Sequence, residues 1–284
     1  MDRVGVVGCG LMGSGIAEVT ARAGANVLVV EADAAAMERG LERIERSLSR
    51  AVSSGKLPES EAAAVRAHLS FSTDFSDLAD RELVVEAVAE NEAIKLDVFR
   101  KIDAAVEDPN AILATNTSSI PIIKLAMATT RPQQVIGMHF FNPVPVLKLV
   151  ELISSLLTSP ETFERSRRYA TDALGKRVIT SPDRAGFVVN ALLIPYLLSA
   201  IRMLESGFAS PDDIDTGMVV GCAHPMGPLA LTDLIGLDTT LAVAESLYEE
   251  FKEPHLAPPP LLSRMTQAGL LGRKSGQGFF AYKS

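Results

Sequence analysis

The chain has no tryptophan, and aromatic residues fill only 5% of its 284 positions. Stacked-ring platforms for sugars or single-stranded nucleic acid are therefore not expected. Cysteine is nearly absent. Cys9 and Cys222 are the only two, and they form no metal or redox spacing. A reducing cytoplasm is the simplest setting for such a chain. Basic residues are outnumbered: 27 Lys and Arg against 35 Asp and Glu leave a net charge of −8. That balance argues against non-specific nucleic-acid binding, although a local basic patch can still meet an anionic ligand. No apolar run is long enough to span a bilayer. The longest, residues 187–201, is interrupted by Asn190 and Pro195. Met1-Asp2-Arg3 leads straight into a strand-like run, so no signal peptide is expected.

What is present is an ordinary globular composition, 47% hydrophobic and 22% charged. The length suits two domains. Residues 3–7 form a short apolar run, followed by a glycine-rich turn, a helical pattern to about Ala23, and a second strand at 26–30. Strand, turn, helix and strand open a parallel α/β sheet. A long helix is predicted at 34–53. Gly55 and Pro58 break it, and a second helix runs to about His68. Further strands are expected at 69–71, 83–86, 111–114, 135–139, 147–153 and 177–179, with helices at 91–106, 121–127 and 160–174. After Pro182 strand signals nearly vanish. Residues 187–206, 211–220, 231–251 and 259–268 all read as helices. The expectation is a Rossmann-type α/β domain with a mostly parallel sheet over 1–182, carrying a helical hairpin near 34–68. An all-helical domain over 183–284 follows, with a hinge at 181–187.

Gly8, Gly10 and Gly13 fit the G-x-G-x-x-G pattern between a strand and a helix. Gly8 permits the tight turn, Gly10 lets the backbone approach a pyrophosphate, and Gly13 allows close helix–strand packing. Leu11 and Met12 share the loop. Glu31 closes the second strand, where an acid accepts ribose hydroxyls. No arginine directly follows it to welcome a 2′-phosphate, which favours NAD over NADP. Cys9 reads as a small residue that fits the loop.

The segment 138–151 makes the clearest chemical statement. His139 closes one strand-like run, two prolines force a turn, and Glu151 lies in the next run. That arrangement can set the two side by side, and a histidine held by a carboxylate is a proton acceptor suited to neutral pH. Ser118 follows another strand, within Asn116-Thr117-Ser118-Ser119. Asn190 lies in the first turn of the first helix after the hinge. In a doubly wound sheet, ligands bind beyond the carboxyl ends of the strands, where Ser118 and His139 both fall. Asn190 is expected to enter from the other side of the cleft.

These segments resemble those of the L-3-hydroxyacyl-CoA dehydrogenases, most closely the bacterial 3-hydroxybutyryl-CoA dehydrogenases. The resemblance spans the whole chain. It rests on GVVGCGLMGSGIA, LVVEAVAEN, NTSSI, GMHFFNPVPVLKLVE, GFVVNALL, HPMGPLALTDLIGLD and GRKSGQGFF. It implies reversible oxidation of a (3S)-hydroxyacyl-CoA to the 3-oxoacyl-CoA with NAD, in β-oxidation of fatty acids or in butanoate metabolism. It implies a homodimer formed through the helical domain. By the same resemblance His139 is the base for the 3-hydroxyl proton, oriented by Glu151, and Ser118 and Asn190 bond the substrate oxygen or the imidazole. Glu90, Lys95, Asn116, Ser118, Asn142 and Lys274 become cofactor contacts.

Arg43, Arg46 and Arg50 share one face of the long helix, and Lys56 follows in the turn. A basic stripe on an acidic chain suits the phosphates of CoA. The resemblance adds Ser47 and Lys56 as CoA contacts, with Arg50 standing where relatives often carry lysine. Glu42 and Glu45 are interleaved, so a solvated face of helix pairs stays open as an alternative. Two further readings stay open as well. One is a dehydrogenase of the same fold acting on a hydroxy acid without CoA. The other is a non-catalytic dinucleotide-binding relative.

Overall fold

A computed structural model describes residues 1–282. Two compact units divide the chain, residues 1–184 and 185–284.

The first unit is built on one eight-stranded sheet. Its strands are β1 (Arg3–Val7), β2 (Asn26–Val30), β3 (Leu69–Ser72), β4 (Leu83–Glu86), β5 (Ile112–Thr115), β6 (Val135–Phe140), β7 (Leu149–Ser154) and β8 (Arg177–Pro182). Their spatial order is β3-β2-β1-β4-β5-β6-β7-β8. Every pairing is parallel except β6 with β7. The exception follows from chain length. Residues 141–148 join β6 to β7, and a parallel crossover needs roughly a dozen residues or more. The inner strands read as continuous apolar runs because both faces are covered. Val4, Val6, Val27, Val29, Val85 and Ile112 form their shared core.

Helices α1 (Leu11–Arg22), α2 (Ala34–Ser53), α3 (Glu59–Ala67), α4 (Glu92–Ala105), α5 (Ile122–Ala126) and α6 (Pro160–Arg168) complete the unit. The hairpin of α2 and α3 stands where the sequence predicts it. Asp33 caps α2 through the Ala36 amide, and Asn91 caps α4 through Ile94.

Helices α7 (Val189–Glu205), α8 (Pro211–Thr216), α9 (Pro228–Ile235), α10 (Leu237–Phe251) and α11 (Pro260–Gln267) form the second unit. They enclose a separate core of Ile194, Leu197, Leu198, Ile201 and Leu247. One expectation fails here. The single helix predicted over 231–251 is two helices, because Gly236 adopts φ 103° and turns the chain between α9 and α10. The helices predicted over 160–174 and 211–220 keep their extent, but each ends in a wider π-type turn, Tyr169–Ala173 and Gly217–Gly221. Strand β7 also begins two residues later than expected. Leu147 stays in the loop, its amide bonded to Pro143 and its carbonyl to the Lys176 ammonium. No helix among the described residues is long and apolar enough to cross a membrane.

Candidate active site

The loop after β1 is shaped by its glycines. Gly8 has φ 90°, and a Cβ there would meet the Ala87 carbonyl oxygen at 2.8 Å. A Cβ on Gly13 would overlap the Gly8 carbonyl oxygen. Gly10 is different: among the described residues nothing beyond its own chain neighbours lies within 4 Å of its Cβ position. The open space therefore lies over the central glycine, at the N-terminus of α1, where free amides and the helix dipole favour an anion. Leu11 is 64% exposed beside it, and Met12 is half-buried.

Glu31 follows β2 and binds the loop directly. One carboxylate oxygen accepts from the Cys9 amide, the other from the Ala32 amide at 3.0 Å. A carboxylate of two oxygens has acceptor sites left for ribose hydroxyls. Open space over Gly10, a helix N-terminus and an acid at the end of β2 together fit an NAD dinucleotide. Cys9 itself is fully buried. Burial, and next the Glu31 carboxylate, push its thiol up to about 12 against the opposing pull of Arg43.

A buried polar network ties the carboxyl ends of β4 and β5 together. Glu86, the last residue of β4, accepts from the Lys95 ammonium at 2.6 Å, the Thr115 hydroxyl at 2.7 Å and the Val88 amide at 2.7 Å. Lys95 is only 1% exposed and also lies 3.3 Å from Glu90. Glu90 then accepts from the Thr117 hydroxyl, the Ser118 amide, and the amide and hydroxyl of Ser119. Burial pushes the Glu90 carboxyl up, but Lys95 and these hydrogen bonds outweigh it and hold the group below its ordinary range. The result is a fixed loop over 117–119. Asn116 joins it to β6, its side-chain oxygen accepting the Phe140 amide at 2.8 Å.

His139 and Glu151 are direct partners in the β6–β7 register. Side chains directly opposite on an antiparallel pair lie on one face. His139 Nδ1 is 2.7 Å from Glu151 Oε2, and both side chains are buried. On the other side of the ring, Nε2 is 3.1 Å from the Ser118 hydroxyl. Phe141 packs edge-on against the imidazole at 4.7 Å. Carboxylate, imidazole and hydroxyl thus stand in one line, a geometry able to accept a proton at Nε2.

A cleft of about 790 Å³ lies between α1, α2 with the turn after it, and the loop carrying Asn142. Ser47, Arg50 and Lys56 line it together with Arg43 and Arg46. Arg43 also donates to the Cys9 carbonyl at 3.3 Å, so one member of the basic stripe serves the glycine loop. The Asn142–Pro143 peptide bond is cis.

Asn190 and Lys274 belong to the second unit. Asn190 stands in the first turn of α7. The Lys274 ammonium lies 2.5 Å from an Asp238 carboxylate oxygen.

Three residues of this region lie outside the sequence-level set. Glu86 anchors Lys95 and is itself held by the Thr115 hydroxyl, and an acid inside the apolar run 83–88 was the visible signal for the first. Lys176 is the third. It is buried, and its ammonium donates to the carbonyls of Val144 and Leu147 at 2.6 and 2.7 Å, pinning the β6–β7 loop. No sequence pattern announces a lysine that binds loop carbonyls.

Comparison with known proteins agrees with this architecture. Residues 3–184 match the family model of the 3-hydroxyacyl-CoA dehydrogenase NAD binding domain, and residues 186–282 match that of the 3-hydroxyacyl-CoA dehydrogenase C-terminal domain. The chain is 57% identical to a 3-hydroxybutyryl-CoA dehydrogenase of Mycobacterium tuberculosis, covering 99% of each. Among solved structures, FadB2 of M. tuberculosis superposes with a TM-score of 0.99 at 57% identity, over 100% of this chain and 99% of that one. The (S)-3-hydroxybutyryl-CoA dehydrogenase PaaH1 of Ralstonia eutropha gives 0.94 at 46% identity, over 100% of both. The sheet order, the glycine loop with its acid and the full-length likeness agree: the chain belongs to the 3-hydroxyacyl-CoA dehydrogenase family, as an NAD-dependent oxidoreductase.

Proposed function

We propose that the chain interconverts (3S)-3-hydroxyacyl-CoA and 3-oxoacyl-CoA thioesters, 3-hydroxybutyryl-CoA being the short-chain substrate in view, with His139 as the proton-transferring group. One observation carries this reading: the line from the Glu151 carboxylate through the His139 imidazole to the Ser118 hydroxyl.

In the oxidative direction Glu151 accepts the Nδ1 proton and leaves the Nε2 lone pair facing outward. Nε2 takes the proton of the 3-hydroxyl, and Glu151 steadies the imidazolium that forms. The Ser118 hydroxyl marks the place of an alcohol oxygen beside Nε2 and hydrogen-bonds it. When bound, NAD supplies the hydride acceptor. Gly8, Gly10, Leu11, Met12 and Gly13 would cradle its pyrophosphate, and Glu31 its adenosine ribose. The negative charge of Glu31 disfavours the 2′-phosphate of NADP. Glu90, Asn116 and Asn142 are cofactor contacts in this reading, and Lys95 works by holding Glu90. The helical unit contributes Asn190 as a partner of the substrate oxygen and Lys274 as a cofactor contact.

The basic cleft favours a CoA thioester over a free hydroxy acid. Ser47, Arg50 and Lys56 would meet CoA phosphates through charge-assisted bonds. The same reading places the protein in the cytoplasm, in β-oxidation or butanoate metabolism, as a homodimer. Leu192, Phe208 and Val220, 74%, 79% and 77% exposed, give the helical unit apolar surface for such an association.

Steady-state reduction of acetoacetyl-CoA by NADH, run beside free acetoacetate and beside NADPH, tests the proposal. Turnover of the thioester with NADH is expected. Equal turnover of the free acid would favour the hydroxy-acid reading, and NADH binding without any turnover the non-catalytic one.

A further inference from the structure

The floor of the basic cleft holds an acid. Five of its lining side chains are cationic, and Arg46, Arg50 and Lys56 among them are exposed at its rim. Glu18, on the α1 side, is its one carboxylate. The Glu18 side chain is 1% exposed, yet neither carboxyl oxygen makes a hydrogen bond of good geometry among the described residues, although the Ser47 hydroxyl and the Arg22 guanidinium stand near it. Its nearest cation, Arg22 one turn along α1, approaches Oε1 only to 3.4 Å. Buried polar atoms in folded proteins nearly always find partners, and those without one point to a group supplied from outside.

We propose that Glu18 is a ligand-anchoring residue of this cleft, accepting an N–H of the uncharged part of the bound acyl-CoA. The inference rests on the acyl-CoA reading above. Its chemistry follows from the distribution of charge. Phosphates go to the exposed arginine and lysine heads, where charge-assisted bonds are available. A carboxyl at the floor offers an acceptor oxygen whether or not it is ionised. Where it is ionised it also repels phosphate. Rim and floor together therefore fix which end of a long, partly anionic ligand goes where. Burial pushes the Glu18 carboxyl up, with the Ser47 hydroxyl and Arg22 drawing it back. A neutral acid and an ionised one both present the acceptor. CoA carries suitable N–H donors in two places, the amides of the pantetheine arm and the amino group of the adenine.

The test compares wild type, Glu18→Ala and Glu18→Gln, all with NADH as the second substrate. With acetoacetyl-CoA, Glu18→Ala should raise KM about tenfold or more through the lost hydrogen bond, with kcat and the KM for NADH within about twofold of wild type. Glu18→Gln keeps a carbonyl acceptor and should restore most of the loss. Repeating the pair with acetoacetyl-pantetheine locates the donor: the penalty persists if an arm amide meets Glu18, and vanishes if the adenine does. An unchanged KM for acetoacetyl-CoA in Glu18→Ala would overturn the inference. So would a joint fall in kcat, NADH affinity and melting temperature, which marks a structural role. Absence of acetoacetyl-CoA turnover in the wild type would instead overturn the acyl-CoA reading itself.

Discussion

His139 and Glu151 face each other across the single antiparallel pairing of the sheet, with Nδ1 2.7 Å from Oε2. The acid is fully buried and the imidazole nearly so. In the proposed mechanism a carboxylate in that position would fix the ring tautomer and steady the imidazolium formed during turnover. Glu151→Gln keeps the shape and removes the charge. It should lower kcat for acetoacetyl-CoA reduction by roughly a hundredfold. Steady-state kinetics at saturating NADH read this directly, and a loss of only a few-fold would remove Glu151 from the role.

The glycine loop separates stability from binding. A Cβ on Gly13 overlaps the Gly8 carbonyl oxygen, whereas one on Gly10 meets nothing within 4 Å. Gly10 also has φ −66°, a value any residue accepts. Gly13→Ala should therefore destabilise the fold, by about 1–3 kcal/mol in the range for overpacked sites. Gly10→Ala should melt like wild type but bind NADH more weakly, since the methyl fills the approach to the backbone. Calorimetric melting and NADH fluorescence titration distinguish the two. A Gly10→Ala enzyme with unaltered NADH affinity would contradict the loop assignment.

Glu90 makes acid stability predictable. Its folded-state carboxyl lies below the ordinary value of 4.5, with Lys95 and the 117–119 loop outweighing burial. A depressed carboxyl stabilises the fold fully above its unfolded value and loses that contribution as pH falls through the folded one. Melting temperature should therefore drop on going below about pH 4.5, and Glu90→Gln should flatten that drop. Identical acid limbs for the two proteins would refute the network's contribution.

The two cysteines should differ sharply toward alkylating reagents. Cys9 is buried, with its thiol pushed up to about 12, whereas Cys222 is exposed. The thiolate is the reacting species. Iodoacetamide at pH 8 should modify Cys222 in the native protein and leave Cys9 untouched, as peptide mass spectrometry would show. Rapid labelling of Cys9 would mean that the loop opens.

Much of the fold was legible because its signals are local. Strands such as β1, β2 and β4 are short, mostly apolar runs, and Gly55 with Pro58 marks the break between α2 and α3. The His139–Glu151 pairing was legible because a short proline-rich connection can only return antiparallel. Gly236 escaped notice because the apolar pattern runs through it, and only its φ of 103° reveals the turn. Glu86 showed only as an acid in an apolar run, and Lys176 and Glu18 gave no sequence signal, for a different reason. Their meaning lies in surroundings that only the fold assembles: Lys95 and Thr115 for Glu86, two loop carbonyls for Lys176, and for Glu18 a basic cleft in which its carboxyl makes no hydrogen bond of good geometry among the described residues.

The most direct test is His139→Ala, assayed for acetoacetyl-CoA reduction beside NADH binding. If His139 transfers the proton as proposed, removing its imidazole should cost about 10²- to 10⁴-fold in kcat. NADH affinity should stay at the wild-type value, because His139 bonds Glu151 and Ser118 and takes no part in the glycine loop. A His139→Ala enzyme that turns over acetoacetyl-CoA at near the wild-type rate would contradict the account.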